Sequence, residues 1–261
     1  MSAGLTALMA ASAGVASTLA AIRIAANSVR MMQHSEKRRH PMGKPKTSRL
    51  YLNAAPDPNV SWRWVSERGL RLATGDATLA RYSALSSLNL PEIEDMIPAD
   101  GSLLLILRRG EPVSADLLEA LAMPLAIAHA TTGKLHEIAV EYGGAAGPDL
   151  PALAELSGMD AATYIRSHTA VEYTVAFLGF QPGFPYLRGL PPALHAPRRA
   201  SPRVSVPKGS VAIGGAYTGI YPASGPGGWH ILGRTPVDLF DPQREAPALL
   251  MPGDHVRFVA A

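Results

Sequence analysis

The chain has 261 residues, 47% hydrophobic and 17% charged, which excludes a disordered protein and is enough, at roughly 100–200 residues per domain, for one or two domains with a substantial core. It contains no cysteine, which excludes disulfides, thiolate metal sites, iron–sulfur clusters and a cysteine nucleophile and suits a cytoplasmic location, while 24 glycines and 23 prolines favour short strands and tight turns over a helical bundle. The net charge of +3 is unevenly placed: residues 1–50 carry eight Arg or Lys against Glu36 alone, leaving the rest at sixteen basic to twenty acidic, so the body loses the electrostatic basis for binding nucleic acid.

Residues 1–22 hold no charged side chain, and Arg23 and the Lys37-Arg38-Arg39 cluster follow them. A secretory signal would place its cations before the apolar stretch, and a spanning helix would need about 20 strongly apolar residues where this segment is mostly alanine. A transit peptide fits the shortage of acids and the Ser and Arg content. The reading adopted for residues 1–55 is a poorly ordered basic extension, with no membrane association expected.

From Trp62 the pattern changes. Leu70 to Ala73 alternates as a strand, Gly75-Asp76 ends it, and Asp76 to Leu90 has helical spacing through Leu79, Tyr82, Leu85 and Leu88. Leu103 to Leu107 suits a buried strand, and Ser114 to Ala122 a helix with Ser114 as its N-cap. These make a small α+β domain, set at residues 56–134.

A second domain, residues 135–261, starts with a strand at His136 to Val140, then a loop through Gly143-Gly144 and two short helices at Asp149 to Ser157 and Asp160 to His168, the second capped by Asp160. Strand-like stretches follow at Val171 to Leu178, Ser210 to Ile213, Gly219 to Tyr221, Trp229 to Leu232, Val237 to Phe240 and His255 to Val259, each fenced by Gly or Pro. Their number and spacing predict a barrel or sandwich.

The densest turn chemistry lies between Phe177 and Phe240. In Gly179-Phe180-Gln181-Pro182-Gly183-Phe184-Pro185-Tyr186-Leu187, Pro182 and Gly183 are the central pair of a type II turn, which holds three aromatic rings around a rigid loop. Those rings serve equally as a site wall or as core that plugs one end of a barrel. Downstream, Gly227-Gly228 lets the backbone approach a ligand closely, and Arg234 offers a forked donor that matches a carboxylate. Together they make a credible site for a small acid; separately they are ordinary turn glycines and a structural ion pair.

Three titratable residues are candidates for acid or base: His136 and His168, whose imidazoles would titrate near neutrality, and Asp149, which is either the N-cap of its helix or a catalyst if the barrel brings it toward Arg234. No metal site is expected. The sequence contains no phosphate-binding Gly-x-x-x-x-Gly-Lys-Ser/Thr loop, no dinucleotide fingerprint and no Met-Lys-Met biotinylation site.

The segments His136-Glu137-Ile138, Tyr142-Gly143-Gly144, Gly147-Pro148-Asp149-Leu150, His168-Thr169, Gly179 to Leu187 and Val206 to Thr235 closely resemble the B-subunit family of bacterial 5-oxoprolinase, which also includes the Kip inhibitor and proteins labelled allophanate hydrolase subunit 1. The likeness runs from about His136 to Val259 and is most specific in Gly-Phe-x-Pro-Gly-Phe-Pro-Tyr-Leu and Thr-Gly-Ile-Tyr-Pro. It is fainter over Trp62 to Pro124. Two departures stand out: Lys208 where a small residue is usual, and Ser224-Gly225-Pro226 where Ser directly precedes Pro.

The resemblance implies a cyclophilin-like, carboxyltransferase-type β-barrel for the second domain and a hetero-oligomeric complex with two further proteins, a barrel-like C-type partner and an A-type partner. That complex would open 5-oxo-L-proline, a small cyclic amide, to L-glutamate at the expense of ATP, with the nucleotide bound outside this chain. On this reading Pro182, Gly183, Phe184, Thr218, Gly219, Tyr221, Gly227, Gly228, Trp229, Arg234 and Thr235 line a cleft closed by the C-type partner, and Arg234 holds the carboxylate. Two alternatives follow from the same resemblance: an inhibitor whose aromatic face docks on a sensor histidine kinase, and a carboxyltransferase or allophanate hydrolase-type component of urea breakdown, which would need its biotin carrier elsewhere.

Overall fold

A computed structural model describes residues 61–122 and 133–261. The extension expected over residues 1–55, and the start of the domain expected from residue 56, lie outside the described residues. Residues 61–97 and 101–122 fall in one compact unit, and residues 98–100 and 133–261 in a second.

In the first unit, strands β1 (Trp62–Trp64), β2 (Gly69–Ala73), β3 (Ile93–Ala99) and β4 (Ser102–Leu107) form a sheet in the order β1-β2-β4-β3. Helices α1 (Thr78–Leu88) and α2 (Ala115–Ala122) follow β2 and β4. Alternation puts Leu70 and Leu72 of β2 into one core with Leu103, Leu105 and Leu107 of β4, and Leu85, Leu117 and Leu121 of the helices complete it. Ser114 caps α2 as its sequence suggests, its Oγ accepting the Leu117 N–H at 3.0 Å. The strand β3 escapes a sequence reading because it carries Glu94, Asp95 and Pro98; it stands at the end of the sheet order, where such residues are tolerated.

The second unit is mainly β. Its strands β5 (Leu135–Tyr142), β6 (Glu172–Leu178), β7 (Pro185–Arg188), β9 (Ser210–Gly214), β10 (Tyr217–Ile220), β12 (His230–Arg234) and β13 (His255–Ala260) close a barrel in the order β10-β7-β6-β13-β5-β12-β9. The last strand pairs in parallel with β5, from His255↔Leu135 to Ala260↔Val140, and antiparallel with β6. Ile138, Val140, Val175, Leu187, Val211, Ile213, Leu232, Val256 and Phe258 fill the interior. Strand β8 (Arg203–Val206) pairs instead with β11 (Gly225–Gly227) in a separate two-stranded ribbon.

Two helices cover part of this core. They are α3 (Leu150–Leu156) and α4 (Ala161–Thr169), at the places their periodicity predicts, and they contribute Leu150, Leu153, Ala154 and Tyr164. Asp160 caps α4 by accepting the Thr163 N–H at 2.6 Å. The strand expected over Val237 to Phe240 is corrected. Only one isolated bridge, Phe240↔Ala248, forms there, because Pro236 and Pro242 withhold ladder donors from both flanks.

Candidate functional site

The aromatic loop takes the form its sequence dictates. Phe184 N–H donates to Gln181 O at 3.0 Å, Pro182 and Gly183 are the central pair, and Gly183 has φ +77°, which is the type II turn. Immediately before it, the Gln181 N–H donates to Gly179 O at 2.7 Å, closing a three-residue turn on Phe180. The φ of Phe180 is +64°, a left-handed conformation that costs a non-glycine residue about 1–2 kcal/mol. Such strain concentrates where a side chain must be presented in one direction, and Phe180 is 61% exposed.

Beneath it lies a herringbone of rings. Phe184 meets Tyr221 at 5.1 Å and Trp229 at 5.4 Å between centroids, both edge-to-face, and Tyr186 meets Trp229 at 5.5 Å. Phe180 caps the group edge-on against Phe184 and Tyr221. These contacts are the favourable aromatic geometries. They are possible only because the backbone below carries no side chains. A Cβ on Gly214 would sit 2.5 Å from the Trp229 indole nitrogen, one on Gly219 would sit 3.1 Å from the Phe184 ring, and one on Gly227 would sit 2.4 Å from the Tyr221 hydroxyl. Pro182, Gly183, Phe184, Gly219, Tyr221, Gly227 and Trp229 are thus brought together, with Phe184, Tyr221 and Trp229 almost fully buried as the floor. Burial raises the Tyr221 phenol above its ordinary value, with the Trp229 backbone amide, Arg198 and Arg203 pulling the other way.

Arg234 and Thr235 adjoin this floor from the side of the Tyr221 backbone. Gly209 N–H donates to Tyr221 O at 2.8 Å, Thr235 N–H donates to Gly209 O at 2.9 Å, and Arg234 Nε donates to Lys208 O at 3.0 Å. Arg234 is exposed and no carboxylate among the described residues pairs with it. Lys208 is paired with Asp238 at 2.5 Å, and its N–H donates to Ser224 Oγ at 3.1 Å. Gly225 receives the Gln181 carboxamide, whose Nε2 lies 2.6 Å from the position a Cβ would take. The Oε1 atom of that carboxamide is buried without a hydrogen-bond partner. Gln181 is absent from the residues expected at the site; a polar residue inside an otherwise aromatic turn was the available signal.

Other expected residues lie elsewhere. Thr218 is buried, donating to Ala212 O at 3.1 Å and paired at 3.1 Å with His168 Nε2. Because the Thr218 hydroxyl spends its proton on Ala212, His168 Nε2 carries a hydrogen and its Nδ1 accepts from the Tyr142 hydroxyl at 2.8 Å. His168 is fully buried and stacks on Phe258 at 4.8 Å. Desolvation pulls its pKa down to about 3. It is a neutral core histidine with no route to a substrate.

His136 Nε2 is 3.3 Å from Asp254 Oδ2, and Asp254 also accepts the Lys134 and Met251 N–H groups, fastening β5 to the start of β13. Asp149 holds the N-cap position of α3 without a side-chain capping bond. It accepts two N–H groups of Arg203 at 2.8 Å, one of Arg199 at 3.2 Å and the Ile231 N–H at 2.7 Å. Burial works to raise this carboxyl, but the Arg203 and Ile231 donors and the Arg199 charge outweigh it and hold it low. Arg234 stands three residues beyond Ile231 along β12, about 10 Å at the usual strand rise. The three acid–base candidates are therefore dispersed and each is engaged in holding the barrel together. Gly228 lies against Pro202 and accepts the Arg199 N–H through its carbonyl at 2.8 Å.

A groove of about 370 Å³ in the first unit, lined by Tyr82, Asn89, Glu94, Asp95 and Arg108 among others, contains none of the expected site residues. Among the described residues no helix is long and apolar enough to cross a membrane.

The family model "Carboxyltransferase domain, subdomain C and D" matches residues 61–250. The 5-oxoprolinase B subunit of Escherichia coli O157:H7 is 48% identical over 174 residues, 66% of this chain and 80% of that protein. The protein of the same name from Bacillus subtilis (strain 168) is 47% identical over 149 residues, 57% of this chain and 62% of its own length. The crystal structure of TTHA0988 superposes with a TM-score of 0.64 at 40% identity, covering 74% of this chain and 40% of that one, so the present chain spans less than half of that protein.

Proposed function

Since the chain belongs to the carboxyltransferase-domain family of subdomains C and D, we propose that it acts as the B subunit of a 5-oxoprolinase that opens 5-oxo-L-proline to L-glutamate with ATP. The observation that carries this reading is the 48% identity with a relative of that name across 80% of the relative's length. The chain works with a C-type barrel partner and an A-type partner, in the cytoplasm. ATP is used by the complex and held outside this chain, and this chain carries no biotin. Its organisation is an α+β domain over residues 56–134 and a cyclophilin-like barrel over residues 135–261.

The chemistry assigned to this chain is binding and exclusion of water. An unstrained lactam resists hydrolysis, and its opening needs a dry site with fixed donors facing the developing negative charge. The aromatic floor of Phe184, Tyr221 and Trp229 supplies an apolar wall, and exposed Phe180 is the edge against which the C-type partner closes. Arg234, oriented by its Nε bond to Lys208 O, leaves the outer face of its guanidinium to hold the substrate carboxylate. In the assembled complex, Arg234→Ala is expected to lower kcat/KM for 5-oxo-L-proline by roughly 100-fold, the scale of a charge-assisted clamp. Unchanged steady-state kinetics in that variant would remove Arg234 from the site.

A further inference from the structure

The groove of about 370 Å³ in the first unit lies between the C-terminal half of α1 and strand β3, with Arg108 just past the end of β4. Its floor is apolar and firmly backed. Leu85 belongs to the core of the unit, and Tyr82, Leu90, Ile93 and Met96 pack against that core. On the rim, Glu94 is already engaged, paired with Arg68 at 2.7 Å. The neighbouring Glu92 is buried, and its carboxylate accepts the Ser114 hydroxyl.

One cation and one anion stay open. Arg108 is fixed from behind, its N–H donating to Glu92 O at 2.8 Å and its Nε to Pro91 O at 2.9 Å. Its terminal guanidinium nitrogens meet no acceptor among the described residues. Asp95 accepts the Met96 N–H at 2.8 Å through Oδ1 and pairs with no basic side chain among the described residues. The carbonyl end of α1 reaches the same groove at Ser86 and at Asn89, its left-handed cap with φ +46°. The last turn of that helix contains no basic residue, so its partial negative charge adds to that of Asp95.

A forked cation, a carboxylate beside a helix carbonyl end, and an apolar floor together complement a zwitterion with an apolar body. We propose that this groove binds an α-amino acid with a bulky apolar side chain. Its carboxylate sits on Arg108, whose donors match it in pairs, its ammonium on Asp95 and the end of α1, and its side chain on the floor. The volume stands at the lower end of small-molecule sites, roughly 300–1,000 Å³, which suits leucine or phenylalanine better than glycine or alanine. Neither end of the lactam reaction fits: 5-oxo-L-proline has no ammonium, and L-glutamate brings a second carboxylate to a rim where Arg68 is already held by Glu94. The site therefore shares no residue with the aromatic floor and does not rest on the lactam-opening reading.

The test is calorimetric titration of the full chain with L-phenylalanine, with N-acetyl-L-phenylalanine, which lacks the ammonium, and with L-phenylalaninamide, which lacks the carboxylate. L-Phenylalanine binds, and each blocked form binds about 10-fold more weakly or worse, the scale of one charge-assisted hydrogen bond. Arg108→Ala lowers the affinity for L-phenylalanine by roughly 10-fold and narrows its advantage over the amide, and Arg108→Lys recovers part of the loss. Asp95→Asn, which keeps an acceptor for the Met96 N–H, narrows the advantage over the N-acetyl form instead. Absence of L-phenylalanine binding, equal binding of the blocked forms, or unchanged affinity in Arg108→Ala overturns the proposal. Binding of L-glutamate as tight as that of L-phenylalanine overturns the apolar class. The comparison of ligands uses the unaltered chain, so it decides the matter even where a variant fails to fold.

Discussion

His168 shows how one residue type carries opposite meanings depending on where the chain puts it. Desolvation among Phe258, Tyr173 and Tyr142 holds its pKa near 3 against 6.5 in the open. Between those values the unfolded chain binds a proton that the folded chain refuses, so stability is complete above pH 6.5 and falls as the solution is acidified. At about 1.4 kcal/mol per pH unit, this one group removes about 2 kcal/mol between pH 7.5 and 5. Urea unfolding at both pH values should show that loss in the wild type. His168→Gln should be less stable at pH 7.5 but lose about 2 kcal/mol less on acidification; equal losses would place the proton elsewhere. A histidine at the end of a predicted helix gave no sign of this burial, because the residues that enclose it come from β5, β6, β10 and β13.

The turn at Gln181–Phe184 was legible because Pro-Gly has few conformational options, and the structure adds what the glycine costs to replace. Gly183→Ala would force a Cβ into a left-handed residue and to within 2.8 Å of the Phe240 Cβ. The expected destabilisation is about 1–3 kcal/mol, read as a lower urea midpoint. Pro182→Ala, which only loosens the unfolded chain, should cost less than about 1 kcal/mol. The caps at Ser114 and Asp160 were legible for the same local reason. What the sequence conceals is pairing across distance: Asp149 finds Arg203 54 positions away, and nothing in the composition of either neighbourhood announces it. The ribbon strands β8 and β11 are hidden differently, since Gly225-Pro226-Gly227 has the look of a loop and becomes a strand only against Arg203–Val206. Of the expected site, the aromatic floor and its glycines assemble as neighbours, while Thr218 turns into the core and the acid–base candidates become fastenings.

At the level of the whole chain, barrel closure links the function to the end of the sequence. The last strand runs parallel to β5 and seals the barrel, so the loops after β6 and β10 are presented from a rigid wall, as a binding surface requires. The described residues supply an aromatic floor, an exposed phenylalanine and, in Arg234, an exposed arginine without a carboxylate partner among the described residues. The proposed function requires that the chain be necessary within a complex. The most direct measurement is ATP-dependent glutamate release from 5-oxo-L-proline by purified A-type and C-type partners, with and without the full chain. Release is expected only when the chain is added. Release that proceeds without it, or none in either mixture, would contradict the assignment.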